Sequence, residues 1–246
     1  MKAKGKNAIT TSFTVFLLLW CASLSMAQEL ADTLQNPRIF FPYPMGERQW
    51  RTSIGLVFTT TPQDITEEVR VRVPAIDLHT LRNLNSHFYL DGQLKSQVIQ
   101  NHLSIGIRWA HPITPRLSFS VGDDIGAWFG FLKLESFNSR GYGWLNYPNI
   151  SLGYRLKNDL LLTFKTEAIF NLHSSSYVGD NRISYNNNRL NGVGFTWVLE
   201  QPFYNKTHFT LGVRALYTDF NWQFWSLHAT FDRKIFYPQL IFGFIL

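Results

Sequence analysis

Charged and imidazole side chains recur at alternate positions along this chain, a spacing that would gather them on one face of extended β-strands. These side chains include more arginines and lysines than carboxylates. Two roles are open to them. They could form a buried network of ion pairs and hydrogen bonds, or they could line a constricted passage that favours anions. The candidate residues are Arg51, Arg70, Arg72, Asp91, Lys95, His102, Arg108, Arg116, Asp124, Arg155, Lys165, Glu167, Glu200, His208 and Arg214.

Pairs of residues that could act in catalysis are few. Asp123 and Asp124 are adjacent, and adjacent strand residues point to opposite faces, so their carboxylates cannot easily cooperate. Asp123 falls among apolar neighbours, which predicts a position near a strand end or a bulge. His173 and Ser174 stand at the edge of a polar segment, where a serine–histidine site could exist, but no spacing signature accompanies them. We therefore predict no catalytic residue and no enzymatic activity.

The sequence also predicts no metal ligand and no cofactor-binding residue. The 7 histidines are scattered, without a pair at metal-ligand spacing, and the glycine-rich loops of nucleotide-binding proteins are missing. The single cysteine, Cys21, lies in the N-terminal region, so the mature chain has no thiol nucleophile, thiolate ligand or disulfide.

The N-terminus has the organisation of a secretory signal. Basic residues are followed by about ten apolar residues, 13–22, and then by Ser25-Met26-Ala27, a small-x-small cleavage pattern near Ala27. The alternatives are an uncleaved anchor helix and a lipoprotein signal at Cys21, where the preceding Trp20 is unfavourable. Removing the lysines of residues 1–27 lowers the formal charge from +6 to +3, so the basic charge does not predict nucleic-acid binding.

Period-two alternation dominates the rest of the chain. Residues 99–109 carry Ile, Leu and Trp on one face and Gln, His, Ser, Gly and Arg on the other. Such segments run for about 11–14 residues, whereas strands of soluble sheets typically have about five or six and a tilted membrane-spanning strand needs about 9–11. Ten antiparallel strands are predicted, with eight or twelve as alternatives, near 50–60, 69–75, 87–96, 98–110, 116–131, 144–156, 159–172, 190–203, 207–219 and 236–246.

Alternation by itself does not say which face is outside, because a soluble barrel would turn the same apolar face inward. Two features favour a membrane barrel. Short turns alternate with long polar segments at 135–143, 174–189 and 221–234, which are predicted to be loops. Aromatic residues gather near strand ends as in interfacial girdles, namely Trp50, Trp109, Trp144, Phe203, Tyr204, Tyr217, Trp222 and Tyr237.

The last predicted strand, 236–246, ends the chain and places Phe236, Leu240, Phe242, Phe244 and Leu246 on one face. It resembles the C-terminal strand by which outer-membrane proteins are recognised by the barrel-assembly machinery, although Leu246 stands where an aromatic residue is usual. The sequence of residues 141–153, Gly-Tyr-Gly-Trp-Leu-Asn-Tyr-Pro-Asn-Ile-Ser-Leu-Gly, resembles segments of Bacteroidota barrels. The chain thus resembles small outer-membrane β-barrel proteins of Gram-negative bacteria over residues 48–246, which implies a fold and a location but no chemistry.

We therefore expect an all-β, transmembrane, antiparallel up-and-down barrel at 48–246, preceded by a signal peptide at 1–27 and an N-terminal periplasmic segment at 28–47. The first functional hypothesis is a structural or surface-interaction role in the outer membrane, with membrane lipid and the assembly machinery as partners. The second is a narrow passive channel for small anionic solutes, and the third is a barrel enzyme acting on lipid or peptide. The first is favoured because long charged side chains would fill a ten-strand lumen.

Overall fold

The computed structural model describes residues 38–44, 50–62, 72–133, 138–183, 190–204, 207–225 and 233–246. The strands are β1 (Trp50–Thr60), β2 (Arg72–Asn83), β3 (Phe88–Ser96), β4 (Gln100–Pro112), β5 (Leu117–Lys133), β6 (Asn138–Arg155), β7 (Leu161–Val178), β8 (Asn181–Ile183), β9 (Leu190–Tyr204), β10 (Thr207–Thr218) and β11 (Ile235–Ile245). Two short 3₁₀ helices lie at Lys157–Asp159 and Trp222–Phe224. Within these ranges there is no helix long and apolar enough to cross a membrane.

The strands form one closed antiparallel barrel. Each strand pairs with its neighbours in chain order, β11 pairs with β1, and β6 pairs with β7, so ten strands complete a ring. The three-residue β8 extends β7 at its tip and is not a member of the ring. The prediction of a ten-strand up-and-down barrel is confirmed.

The two ends of the barrel differ. The end called here the turn end has the described connections 84–87, 113–116 and 156–160, and the opposite end is the loop end. The predicted loop at 174–189 is wrong in its first part, because β7 continues to Val178 and turns at Gly179 into β8. Likewise, residues 138–143 of the predicted loop 135–143 belong to β6. The serines of 174–176 lack apolar alternation, yet they pair with 141–143 of β6 and so extend the sheet.

The apolar side chains point out of the barrel. Exposed aliphatic residues occur around the whole ring, including Ile54, Leu78, Leu103, Ile105, Ile107, Val121, Ile125, Ile150, Leu152, Leu162, Leu211, Val213 and Leu240. Water-soluble proteins seldom expose apolar surface on this scale, and a soluble barrel would bury these residues. The exterior is therefore the surface of a membrane-spanning barrel.

Two of the aromatic residues predicted to belong to the interfacial girdle do not lie on the exterior. Trp50, Trp144, Phe203 and Tyr217 lie on the exterior, as expected of interfacial aromatics. Trp222 and Tyr237 are instead buried inside the barrel at the loop end. Tyr237 lies on the inward-pointing face of β11, and Trp222 belongs to the connection that folds back into the lumen.

The junction of β1 and β11 depends on a close backbone approach at Gly55. A Cβ atom there would lie 2.2 Å from the carbonyl oxygen of Phe242, which cannot move without shifting the strand. We expect Gly55→Ala to destabilise the folded barrel by about 1–3 kcal/mol, as overpacking does elsewhere. Urea unfolding followed by tryptophan fluorescence measures this change.

The matched control is Gly92→Ala in β3. A Cβ there would first meet the side-chain methyl of Thr80, at 3.2 Å, and this group can adjust. Equal loss of stability in the two variants would contradict the proposed constraint at the junction.

Candidate functional site

The interior of the barrel collects most of the charged residues that alternation assigns to it. Residues whose side chains face the lumen are Arg51, Asp91, Lys95, His102, Arg108, Asp124, Lys165, Glu167, Glu200, His208 and Arg214. They come from seven strands, β1, β3, β4, β5, β7, β9 and β10, and the ring brings them together. No single segment of the sequence contains the site.

Four of the predicted lumen residues are found elsewhere or lie outside the description. Arg72 is exposed on the outer face of β2, and Arg116 is exposed in the turn between β4 and β5. Arg155 lies at the turn-end rim, where its guanidinium donates to the carboxylate of Asp159 at 3.0 Å. Arg70 lies outside the described residues.

The error at Arg72 reflects the phase of β2. The prediction of Arg72 as a lumen residue implies that Val73 and Ala75 point outward, but they face the lumen, and the strand runs on to Asn83. Asp77 and His79 therefore point inward and are buried, although the sequence analysis did not name them. Ile76 and Leu78 are apolar and exposed. An alternation that includes them on the outer face predicts that Ala75, Asp77 and His79 point inward.

One buried ion-pair network lies towards the turn end. The Asp91 carboxylate accepts hydrogen bonds from the Arg108 guanidinium and lies 2.7 Å from Nε2 of His79. Arg108 also donates to the backbone oxygen of Ile39 at 3.2 Å. This cation therefore joins three parts of the protein, since it contacts β3, its own strand β4 and the N-terminal segment.

A second network crosses the middle of the lumen. The Lys165 ammonium lies 3.6 Å from a carboxylate oxygen of Asp124 and 3.6 Å from one of Glu167. Glu167 also binds the Arg214 guanidinium, and Asn149 donates to Asp124 at 3.0 Å. These contacts pair charge across β5, β6, β7 and β10, which lowers the cost of keeping ions in a confined interior.

The N-terminal segment, residues 38–44, fills the turn end. The backbone N–H groups of Ile39, Phe40 and Phe41 donate to the carboxylate of Glu200 at 2.8, 3.1 and 2.8 Å. Glu200 is 1% exposed, and the phenol of Tyr89 donates to the backbone oxygen of Tyr43 at 2.8 Å. Three charge-assisted hydrogen bonds to one buried carboxylate thus hold this segment within the barrel.

Residues 221–225, in the connection between β10 and β11, fill the loop end. The indole of Trp222 stacks on His102 at 5.2 Å between ring centroids, and His102 Nε2 lies 2.9 Å from the hydroxyl of Tyr147. The amide oxygen of Gln223 accepts from Thr59 at 2.6 Å and from Gln239 at 2.8 Å. Trp222 therefore packs against β4, while the side chain of Gln223 bonds to the adjacent strands β1 and β11.

Trp225 shows how closely this connection fits. Cβ atoms at Gly130 and Gly141 would lie 2.1 and 2.8 Å from its indole, so the wall leaves room for the ring only because these residues are glycines. Between the two ends lies a polar cavity of about 50 Å³, bordered by Lys95, Asp124, Lys165 and Arg214 among others. That volume is enough for a few water molecules.

A separate group of polar residues lies on the outside, at the loop end of β7. Ser175 Oγ lies 3.2 Å from His173 Nε2, and an Arg182 Nη atom donates to the same hydroxyl at 3.2 Å. The sequence singled out Ser174, but this hydroxyl turns to the other face and donates to Asn171 at 2.9 Å. His173 and Ser175 share one face because they are two residues apart on a strand.

Asp123 lies on the outer face of β5, opposite Pro148 of β6, and its carboxylate accepts from the amide of Asn146 at 2.6 Å. Asp124 points into the lumen, so the two adjacent carboxylates are on opposite sides of the wall. Among the described residues, no group of three or more His, Cys, Asp or Glu side chains could hold a metal ion.

Comparison with known proteins gives structural neighbours at low sequence identity. No family model and no curated protein sequence matches the chain. The NanC porin is 7% identical over 78% of this chain and 98% of its own, with a TM-score of 0.43. The translocator domain of autotransporter NalP from Neisseria meningitidis is 10% identical over 96% and 97%, with a TM-score of 0.42. The Salmonella typhi outer membrane phospholipase is 10% identical over 88% and 96%, with a TM-score of 0.38.

The Asp91–Arg108 pair provides a test of the interior network. Replacing Asp91 with Leu leaves the guanidinium buried beside His79 without its carboxylate, which should destabilise the barrel by about 3–5 kcal/mol. The free energy of unfolding in urea is the measurement. Asp159→Asn at the partly exposed rim pair is the control, because asparagine tolerates the φ of 57° at this position, and a change of about 1 kcal/mol or less is expected there.

The hydrogen bonds between Glu200 and the N-terminal segment can be tested with trypsin. Arg38 is buried in the folded protein, so cleavage after it should be slow. Glu200→Ala removes the acceptor of three backbone hydrogen bonds and should make this bond cleavable, as followed by mass spectrometry. Gln201→Ala, at the next position along β9, is the control, and unchanged protection of Arg38 in Glu200→Ala would contradict the assigned role.

Proposed function

We propose that this protein is a sealed outer-membrane β-barrel with a structural or surface-interaction role, carried by its exterior and its loop end. The observation that carries the proposal is that the chain's own segments occupy both ends of the lumen. In this proposal, the signal peptide is removed near Ala27. Residues 28–47 then form the N-terminal periplasmic segment, of which the part 38–44 is inserted into the turn end of the lumen.

The alternative of a narrow passive channel for anions is less favoured. Arginines and lysines do line the interior, but Arg108 and Arg214 bind carboxylates, and Lys165 lies between two of them. A permeating anion would have to replace these partners and also displace the side chains of Trp222 and Phe41. Cations already paired with buried carboxylates offer little net attraction to a free anion.

The loop end provides a surface suited to interaction. β5, β6 and β7 have 17, 18 and 18 residues, whereas about 9–11 tilted residues cross a bilayer. These strands therefore continue beyond the membrane as a paired wall. Arg140 lies over the ring of Tyr177 at 5.0 Å on this wall, which presents cationic and aromatic groups to the outside.

The barrel-assembly machinery remains a proposed partner through residues 236–246. The outward-facing residues of β11 include Phe236, Leu240, Phe242 and Phe244, and Phe209 of β10 packs against the last two. An apolar, aromatic outer face on a strand that pairs with β1 at the closing junction supports this assignment.

Planar-bilayer recording of the purified mature chain tests the sealed lumen. We expect no stable conductance steps, because both ends are filled. The positive control combines deletion of residues 28–44 with replacement of 221–225 by glycine and serine, and this variant should conduct weakly. Stable steps in the unmodified protein, with an ion selectivity that shifts in Arg108→Glu or Arg214→Glu, would favour the channel instead.

A further inference from the structure

The outer face of the barrel carries a serine and a histidine in the arrangement of a nucleophile and its base. They are Ser175 and His173 of β7, with 3.2 Å between Oγ and Nε2. This distance lies at the upper limit of the range expected for a serine and a general base, and such contacts often tighten when a substrate binds. No residue of the lumen takes part.

The surroundings of this pair are apolar and aromatic. In the register of β6 and β7, His173 pairs with Trp144 and Ser175 pairs with Tyr142. Trp144, Tyr142 and the neighbouring Leu172 are each about half exposed on the outside of the barrel, at 51%, 46% and 59%. In outer-membrane barrels, exposed tryptophan and tyrosine side chains form girdles at the interface between the membrane and water.

A cation completes the cluster. Arg182 projects from β8, and an Nη atom donates to Ser175 Oγ at 3.2 Å. The arginine is exposed, whereas Ser175 is 2% exposed beneath it. A guanidinium beside the hydroxyl is suited to binding the anionic headgroup of a lipid, and it is also suited to stabilising a negative oxygen that forms next to the serine.

We propose that Ser175, His173 and Arg182 form a hydrolytic site for acyl esters of membrane lipids, at the surface of the leaflet at the loop end, where β6 and β7 leave the membrane. A lipid reaches this site by lateral diffusion along the exterior, and the guanidinium of Arg182 moves from the hydroxyl to the oxygen of the ester carbonyl, which frees Ser175 Oγ. The acyl chain lies against Leu172 and Trp144. A sealed lumen does not affect this reaction, so the proposal is independent of the one above.

The reaction has two steps, and neither changes an oxidation state. Ser175 Oγ attacks the ester carbonyl carbon, His173 Nε2 takes the hydroxyl proton, and Arg182 stabilises the oxyanion. The ester C–O bond breaks, the alcohol leaves with the proton from His173, and an acyl-serine remains. Water then attacks this acyl group with His173 as the base, which releases a fatty acid and restores the serine.

The test uses the full mature protein in detergent micelles and in vesicles. A fluorophosphonate probe, which labels activated serines, should modify Ser175, as located by mass spectrometry. The protein should also hydrolyse p-nitrophenyl decanoate. Ser175→Ala and His173→Gln should each lower the rate by about 10³-fold or more, and Arg182→Gln should lower it by roughly 10²-fold.

The matched control is Ser174→Ala, because this neighbouring serine turns to the other face of β7 and bonds Asn171. It should keep both labelling and hydrolysis. The heat-dependent gel mobility of each variant shows whether the barrel has folded, so loss of activity in a folded Ser175→Ala protein identifies a chemical role. Hydrolysis that persists in Ser175→Ala would overturn the proposal.

The source of the ester is distinguished by two further arms. Vesicles of phosphatidylethanolamine supply a glycerophospholipid ester, and purified lipopolysaccharide supplies the esters of its lipid anchor. Release of fatty acid in either arm, lost in Ser175→Ala, supports the site and identifies its substrate. Absence of both probe labelling and ester hydrolysis in the folded, unmodified protein would refute it.

Discussion

The constraint on which the rest of the structure depends is that backbone groups in lipid have no water to bond. Every N–H and C=O group of a membrane-spanning strand must therefore find a partner on a neighbouring strand, which only a closed ring provides. The pairing of β11 with β1, in the register Gly55 to Gly243, completes that ring. With ten strands it encloses a lumen of small diameter, since the diameter grows with strand number.

A small lumen surrounded by lipid determines how its charges can be accommodated. The inward positions carry ionisable residues, and these lie close enough to form pairs such as Arg108 with Asp91 and Arg214 with Glu167. The ends use the same chemistry. Glu200 binds backbone N–H groups of the N-terminal segment, and Gln223 bonds the wall at the loop end. Paired charge and two inserted segments therefore fill most of the interior.

The exterior of the barrel is apolar over most of its area, but it also carries polar groups at two places. Asp123 and Asn146 form a polar pair on the outer face, and the extended ends of β6 and β7 carry His173 and Ser175 among exposed aromatic residues. Polar groups facing a membrane are costly, so they are informative where they occur. The proposed seal of the lumen and the proposed hydrolytic site are compatible, because they lie on opposite sides of one wall.

The sequence by itself determined the barrel. Repeated alternation over long segments requires strands with one polar and one apolar face, and it located ten of them and most of the interior charges. The tertiary structure decided the pairing of those charges, because partners such as Asp91 and Arg108 lie on different strands. It also corrected β2, where Asp77 and His79 face inward, since valine and alanine suit either face of a short segment. The inward course of 38–44 and 221–225 and the choice of Ser175 over Ser174 depend on contacts between distant segments, which alternation along one strand does not encode.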